Sequence, residues 1–417
     1  MTLQFTAALL DLEPRWIRVN PLIKDNVWWG EISHQALIWG KLFYLGEDKE
    51  IFQLKFPISD FCARFRLRLN SFLNFHLRIN YQKKTNSEYS LARGVDNNPR
   101  KITFGASCCL GRTNAPFGSL SSAADESFDF FLLLGNTAYC DGAQTPQQFM
   151  ARWNTTMSTE GFLELARSTS FVATWDDQEI FEQWNYVIFD PTISASLPPP
   201  VLANMPALVN LGTQTFRNNI PQRKGPNDSI YRSVQWGDVI EIFVLDVRTN
   251  RTNVTMIAQD QMDWLKDGLS NSEAVFKIIM TANAFTRLNG MLGSFTAPFR
   301  WDGYKTQQNE LLDHVHSNNI TGVLWIAGGL QFGMFAHLDK NNTVGWNYYE
   351  VGVGPSGSQI NTYLRLNPFV SIDADQIELV FDTWTYTKFE ADPVSRNVTI
   401  SFVDDSGTTI DSKTITL

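Results

Sequence analysis

The chain has 417 residues, 43% hydrophobic and 13% aromatic, with a formal net charge of −9. That length and apolar content give a large core and two or three structural units, and exclude a disordered chain. The negative balance repels a nucleic-acid backbone, and no stretch reaches the roughly 18 apolar residues of a membrane span, so neither is expected as a partner.

Residues 1 to about 98 read as a β-rich, sandwich-like domain, and residues 99–417 as a larger core. The opening stretch Met1–Leu10 has no basic segment and soon meets Asp11, Glu13 and Pro14. It does not read as a signal peptide, and a cytoplasmic location is the simplest expectation. Short apolar runs such as 36–44 and 64–69 are bounded by turn residues, the pattern of an antiparallel sandwich. Arg64, Arg66 and Arg68 alternate along one run, which suits a solvated strand face or a polyanion-binding stripe. The polar stretch Gly94–Pro99 marks the boundary.

Beyond it, buried strands are expected over 101–107, 128–134, 170–175, 239–245, 275–281 and 323–327, and helices over 258–269 and 307–316. Strands alternating with helices indicate a layered α/β domain. Residues 194–230, rich in Pro, Asn and Gln, read as a long loop or insertion. The last forty residues return to strands at 376–387, 397–402 and 412–417, with a hairpin turn at Asp404–Gly407. The cysteines Cys62, Cys108, Cys109 and Cys140 have neither zinc-site spacing nor a disulfide framework.

Polar residues just after strand ends carry the chemical signal, because such positions converge on one crevice in an α/β sheet. Eight blocks occur in order along this part of the chain. They are Ala106-Ser107-Cys108, then Gly135-Asn136-Thr137-Ala138-Tyr139-Cys140-Asp141-Gly142, then Thr174-Trp175-Asp176-Asp177-Gln178-Glu179 with Asn185 beyond it, and Tyr231–Asp238. Leu245–Arg251, Gln261 with Trp264-Leu265, Asp302-Gly303-Tyr304 and Ala327-Gly328-Gly329-Leu330-Gln331 follow. In these blocks the chain resembles the PhoD-like alkaline phosphatases and phosphodiesterases of the calcineurin-like metallophosphoesterases. The resemblance spans about residues 100–417. It implies an α/β/β/α layered core behind an N-terminal β-domain, and a two-metal phosphoesterase site in which metals activate water and clamp charge.

The departures from the family pattern fall on metal-ligand positions. Asn136 stands where the family has Asp, Gln178 where it has His, Gly329 where it has Asp and Gln331 where it has His. Neutral amides are poor ligands for transition metals, and glycine offers none. Cys108, Tyr139, Asp141, Asp177 and Asn185 remain. They suit either a satisfied polar pocket or, for Cys108 and Asp177, a single metal. Arg232, Arg248 and Arg251 suit a phosphate clamp or salt bridges with Asp238 and Asp246. His337 is the histidine nearest the last block, while His314 and His316 face different sides of one helix.

The expectation is a catalytically impaired homologue that keeps a polar crevice for binding or scaffolding, with no cofactor and with a phosphorylated ligand or a protein as its partner. The alternatives are a divergent active phosphohydrolase using divalent metals, and an assembly protein that docks through its β-surfaces. Restoring all four ligands together, and not any one alone, is expected to restore some metal binding.

Overall fold

A computed structural model describes residues 100–184, 204–288, 299–338, 348–361 and 376–417 in full, and before residue 100 the backbone of eight strands. The chain divides into two compact units, Met1–Arg93 with Arg217–Arg223, and Gly94–Phe216 with Lys224–Leu417.

In the first unit the strands are β1 (Gln4–Ala8), β2 (Pro14–Arg18), β3 (Leu22–Lys24), β4 (Val27–Ser33), β5 (Leu37–Tyr44), β6 (Glu47–Phe56), β7 (Phe61–Leu69) and β8 (Phe75–Lys83). They form two four-stranded sheets, ordered β2-β1-β5-β6 and β3-β4-β7-β8, with every pairing antiparallel.

The second unit holds two mixed sheets. The first is built on β9 (Ile102–Ser107), β10 (Phe130–Leu134) and β11 (Phe171–Thr174), which run parallel. The chain's last three strands, β19 (Thr385–Asp392), β20 (Asn397–Asp404) and β21 (Thr409–Thr416), extend this sheet antiparallel from β9. The second is built on β13 (Ile240–Val244), β14 (Phe276–Thr281), β15 (Val323–Ala327) and β17 (Tyr349–Gly352), all parallel. Antiparallel β12 (Arg232–Trp236) lies at one edge, and β16 (Gly333–His337) and β18 (Ile377–Phe381) at the other.

Period-two alternation assigns the two faces of each strand. Ile240, Ile242 and Val244, with Leu324 and Ile326, join Phe104, Leu132, Phe389 and Ile400 in one core between the sheets. Phe104 is stacked between Phe130 and Phe389 at centroid separations of 4.8 and 4.7 Å. The alternate residues Phe243, Ile279, Val323 and Trp325 join Met262, Leu265, Leu311 and Val315 in a second core under the helices. A strand covered on both faces reads as an unbroken apolar run, as these do.

The described helices are α1 (Gly118–Ala124), α2 (Pro146–Met157), α3 (Glu160–Ser168), α4 (Met205–Asn219), α5 (Gln259–Asn271) and α6 (Lys305–Ser317). Helices α5 and α6 cover the seven-stranded sheet. On the other sheet α1 contacts β19 and β20, and Phe162 of α3 meets Phe171 of β11. The order is therefore helix, sheet, sheet, helix: an α/β fold. No described helix is long and apolar enough to cross a membrane.

Two expectations need correction. Residues 205–219 form helix α4 rather than loop. Its Met205, Leu208, Gly212, Thr215 and Phe216 are buried at helical spacing. Thr213 and Thr215 satisfy their hydroxyls on carbonyls four residues back, so a Thr- and Asn-rich composition did not prevent the helix. The run 376–387 is not one strand. It breaks at Asp382–Trp384, where the Trp384 indole N–H donates to Ser358 O at 2.8 Å, and its halves join different sheets.

Candidate functional site

The parallel strands of both sheets end at one crevice of about 380 Å³. Five of them contribute residues just past their C-terminal ends: Asn136 after β10, Asp176, Asp177 and Gln178 after β11, Arg248 after β13, Asn283 after β14, and Gly329 and Gln331 after β15. Such ends gather polar groups because the backbone turns sharply away from the sheet there. The turns demand left-handed backbone: φ is +88° at Gly135, +54° at Asn136, +76° at Gly329 and +59° at Gln331.

Asp176 is the hub. Its side chain and that of Arg248 are 2% and 1% exposed, and Arg248 Nε lies 2.5 Å from Asp176 Oδ1. Arg248 also reaches Asp177 Oδ2 at 3.4 Å. Asn136 Nδ2 donates to Asp176 Oδ2 at 3.2 Å, and Asn283 Nδ2 lies 3.3 Å from both oxygens. Burial pushes the Asp176 carboxyl up to about 6 against the pull of Arg248. Burial works to lower Arg248, but Asp176 and Asp177 outweigh it and hold the guanidinium above its ordinary value.

Glu179 binds two of the loops together. Its carboxylate accepts the backbone N–H of Asn136 at 3.1 Å, of Thr137 at 2.6 Å and of Asp176 at 2.9 Å. It is fully buried, and desolvation raises it to about 7 although the three amides pull it down. Asp246, just past β13, ties loops in a similar way. It accepts the Trp175 indole N–H and the backbone N–H groups of Arg248 and Thr249, which pins the Arg248 loop to the Asp176 loop.

This arrangement can be compared with known proteins. The family model described as PhoD-like phosphatase matches residues 104–368, well over half of the chain. The chain belongs to the PhoD-like phosphatase family. It is 22% identical over 286 residues to alkaline phosphatase D of Bacillus subtilis (strain 168). That match covers 58% of this chain and 48% of the relative, so the chain spans about half the length of the curated relative it matches. A solved structure titled "Structure of PhoD" superimposes with a TM-score of 0.65 at 16% identity, covering 99% of this chain and 88% of that one, which shows the fold.

Within this PhoD-like frame, the four positions that the sequence resemblance singles out as departures come together. Asn136, Gln178, Gly329 and Gln331 all line the crevice, with Asp177. Cys108, Tyr139 and Asp141 do not line it. The Cys108 thiol donates to Val353 O at 3.5 Å. Tyr139 is half-buried, and burial raises its hydroxyl well above the ordinary value. Asp141 is exposed and accepts the Glu182 N–H at 3.0 Å. Asn185 lies outside the described residues.

Of the three arginines only Arg248 lines the crevice. Arg232 donates to the carbonyls of Ile230 and Ala173, and burial lowers it to about 10. Arg251 donates to Val247 O at 2.8 Å and to Asn283 Oδ1, and burial followed by the Arg248 charge lowers it to about 9. Arg248 forms its ion pairs with Asp176 and Asp177 rather than with Asp238 or Asp246, and Asp246 instead caps the loop that carries Arg248. His337 stacks on Tyr349 at 4.7 Å and is not a lining residue.

The PhoD resemblance implies divalent metals, and the donor set does not fit them. Around Asp176 the neighbouring groups present N–H hydrogens, which repel a cation. Cys109 is buried beside Asn136, and its hydrogen bond with Cys108 and burial hold its thiol well above the ordinary value. A Cβ at Gly329 would lie 2.5 Å from Ala282 O, so no ligating side chain fits there on this backbone. Among the described residues no group of three His, Cys, Asp or Glu could hold a metal ion.

Asp176, Glu179, Asn283 and Arg300 are the residues of the site that the sequence reading missed. Asp176 and Glu179 stood inside a quoted block. Asn283 is an amide and so falls outside a pattern of Asp and His at strand ends, and Arg300 lines the crevice from the position just before the turn Trp301–Gly303. Asn283 sits two residues past a strand end, and its position was the available signal.

Proposed function

We propose that this PhoD-like chain is impaired as a two-metal phosphoesterase and uses its crevice to bind a ligand or to scaffold a partner. The convergence of Asn136, Gln178, Gly329 and Gln331 on one crevice carries the reading. Four uncharged residues on three separate loops at strand ends remove the anionic and imidazole groups that would offset two divalent ions. They also remove the bases that would take a proton from water. The crevice itself stays built: Glu179 and Asp246 still hold its loops in place.

The test is turnover of aryl phosphomonoesters and phosphodiesters by chelator-free protein, with manganese, zinc or calcium added in turn. The expected result is no metal-dependent rate above that of an Asp177→Asn control. A metal-dependent rate that Asp177→Asn abolishes contradicts the proposal.

A further inference from the structure

We infer that Arg248 is the crevice's resident counter-cation, balancing Asp176 and Asp177 in the role that a divalent ion would otherwise fill. The inference deepens the impaired-phosphoesterase reading and rests on it.

Two carboxylates adjacent in sequence, Asp176 and Asp177, are 1% and 3% exposed. Carboxylates so buried need a counter-charge close by, or they protonate. The Arg248 guanidinium supplies it to both, at 2.5 Å and 3.4 Å. It is held there from behind: its backbone N–H donates to Asp246 Oδ1 at 3.0 Å, and Trp175, next to Asp176, donates its indole N–H to the same oxygen at 2.9 Å. The loop carrying the cation and the loop carrying the anions are thus tied at a second point.

The amides complete the arrangement. Asn136 and Asn283 fill the remaining acceptor directions of Asp176 with N–H donors. Asn283 is oriented by the Arg251 guanidinium, which donates to its oxygen, so its N–H groups are directed at Asp176. A metal ion approaching Asp176 meets one guanidinium and two amide N–H groups. The positive charge of a divalent ion and that of Arg248 are therefore alternatives at this carboxylate pair.

The consequence is that removing Arg248 creates a demand for a cation. Arg248→Ala leaves Asp176 and Asp177 uncompensated, and manganese or calcium should then bind and stabilise the fold. The experiment is a thermal melt of wild type, Arg248→Ala, Arg248→Lys and the double variant Arg248→Ala/Asp176→Asn, with and without each cation. Arg248→Ala should rise by roughly 5 °C at saturating cation. Wild type, Arg248→Lys and the double variant should not move.

If Arg248→Ala does not fold alone, the double variant decides. It should fold without added cation where Arg248→Ala does not, since it no longer buries an unpaired carboxylate at 176. An Arg248→Ala melt indifferent to both cations, or a double variant no better than the single, overturns the inference and leaves the functional reading intact. A cation-dependent rise in wild type overturns both.

Discussion

Asn136 and Asp176, forty residues apart in the chain, meet through an amide N–H donated across 3.2 Å to a carboxylate oxygen. An aspartate at 136, the residue that the sequence resemblance implies there, turns that hydrogen bond into a carboxylate pair in a buried site. Asn136→Asp should destabilise the fold by about 2–3 kcal/mol near neutral pH. The penalty should shrink in acid, once one carboxyl of the pair takes a proton. Urea melts at about pH 5 and pH 8 check both expectations. Equal stability of the two proteins at about pH 8 contradicts the assignment.

Gly329 is constrained from two sides. Its φ of +76° disfavours any side chain, and a Cβ there would lie 2.5 Å from Ala282 O and 3.4 Å from Asp176 Oδ2. Gly329→Ala should therefore cost about 1–3 kcal/mol. This alters the expectation that four reversions restore a metal site. Asn136→Asp, Gln178→His, Gly329→Asp and Gln331→His together leave Arg248 in place and force a strained backbone. The fourfold variant should melt lower than wild type and stay unresponsive to manganese. A metal-dependent rise in its melt contradicts that expectation.

Glu179 gives a pH signature. Its folded value of about 7 lies above the ordinary 4.5. A carboxyl raised on folding stabilises the fold fully below its unfolded pKa, and that contribution is lost as pH rises through the folded value. Glu179→Gln cannot titrate. The stability of wild type minus that of the variant should fall between about pH 4.5 and pH 8, by about 3 kcal/mol for the whole shift. A pH-independent difference shows that Glu179 does not titrate in that window.

The chain's end belongs to the core. Strand β20 pairs along its whole length with β19, and Val398, Ile400 and Phe402 are buried between the sheets. Deleting residues 396–417 removes β20 and β21 and exposes Phe104 and Phe389 from one side. The truncated chain should be insoluble or rapidly proteolysed. A melt equal to that of the intact protein contradicts this.

The sheets were legible in the sequence because their strands are continuous apolar runs, and the crevice was legible because polar residues cluster at strand ends. Helix α2 was missed although Thr145-Pro146 and Gln148 spell its capping box. Helix α4 was missed because Thr and Asn interrupt its apolar pattern. The Arg248–Asp176 pair links positions 72 residues apart, and no local pattern encodes it. The strand-end blocks pointed to the arginine but not to its partner, since Asp246, two residues before it, was the nearer carboxylate in sequence.

On the proposed reading the crevice has exchanged metal ligands for amides and an internal cation, and metal content tests that exchange most directly. The measurement is elemental analysis of the full chain purified without chelator, for zinc, iron, manganese and calcium. Well under one equivalent in total is expected. Two stoichiometric metal ions per chain would contradict the exchange.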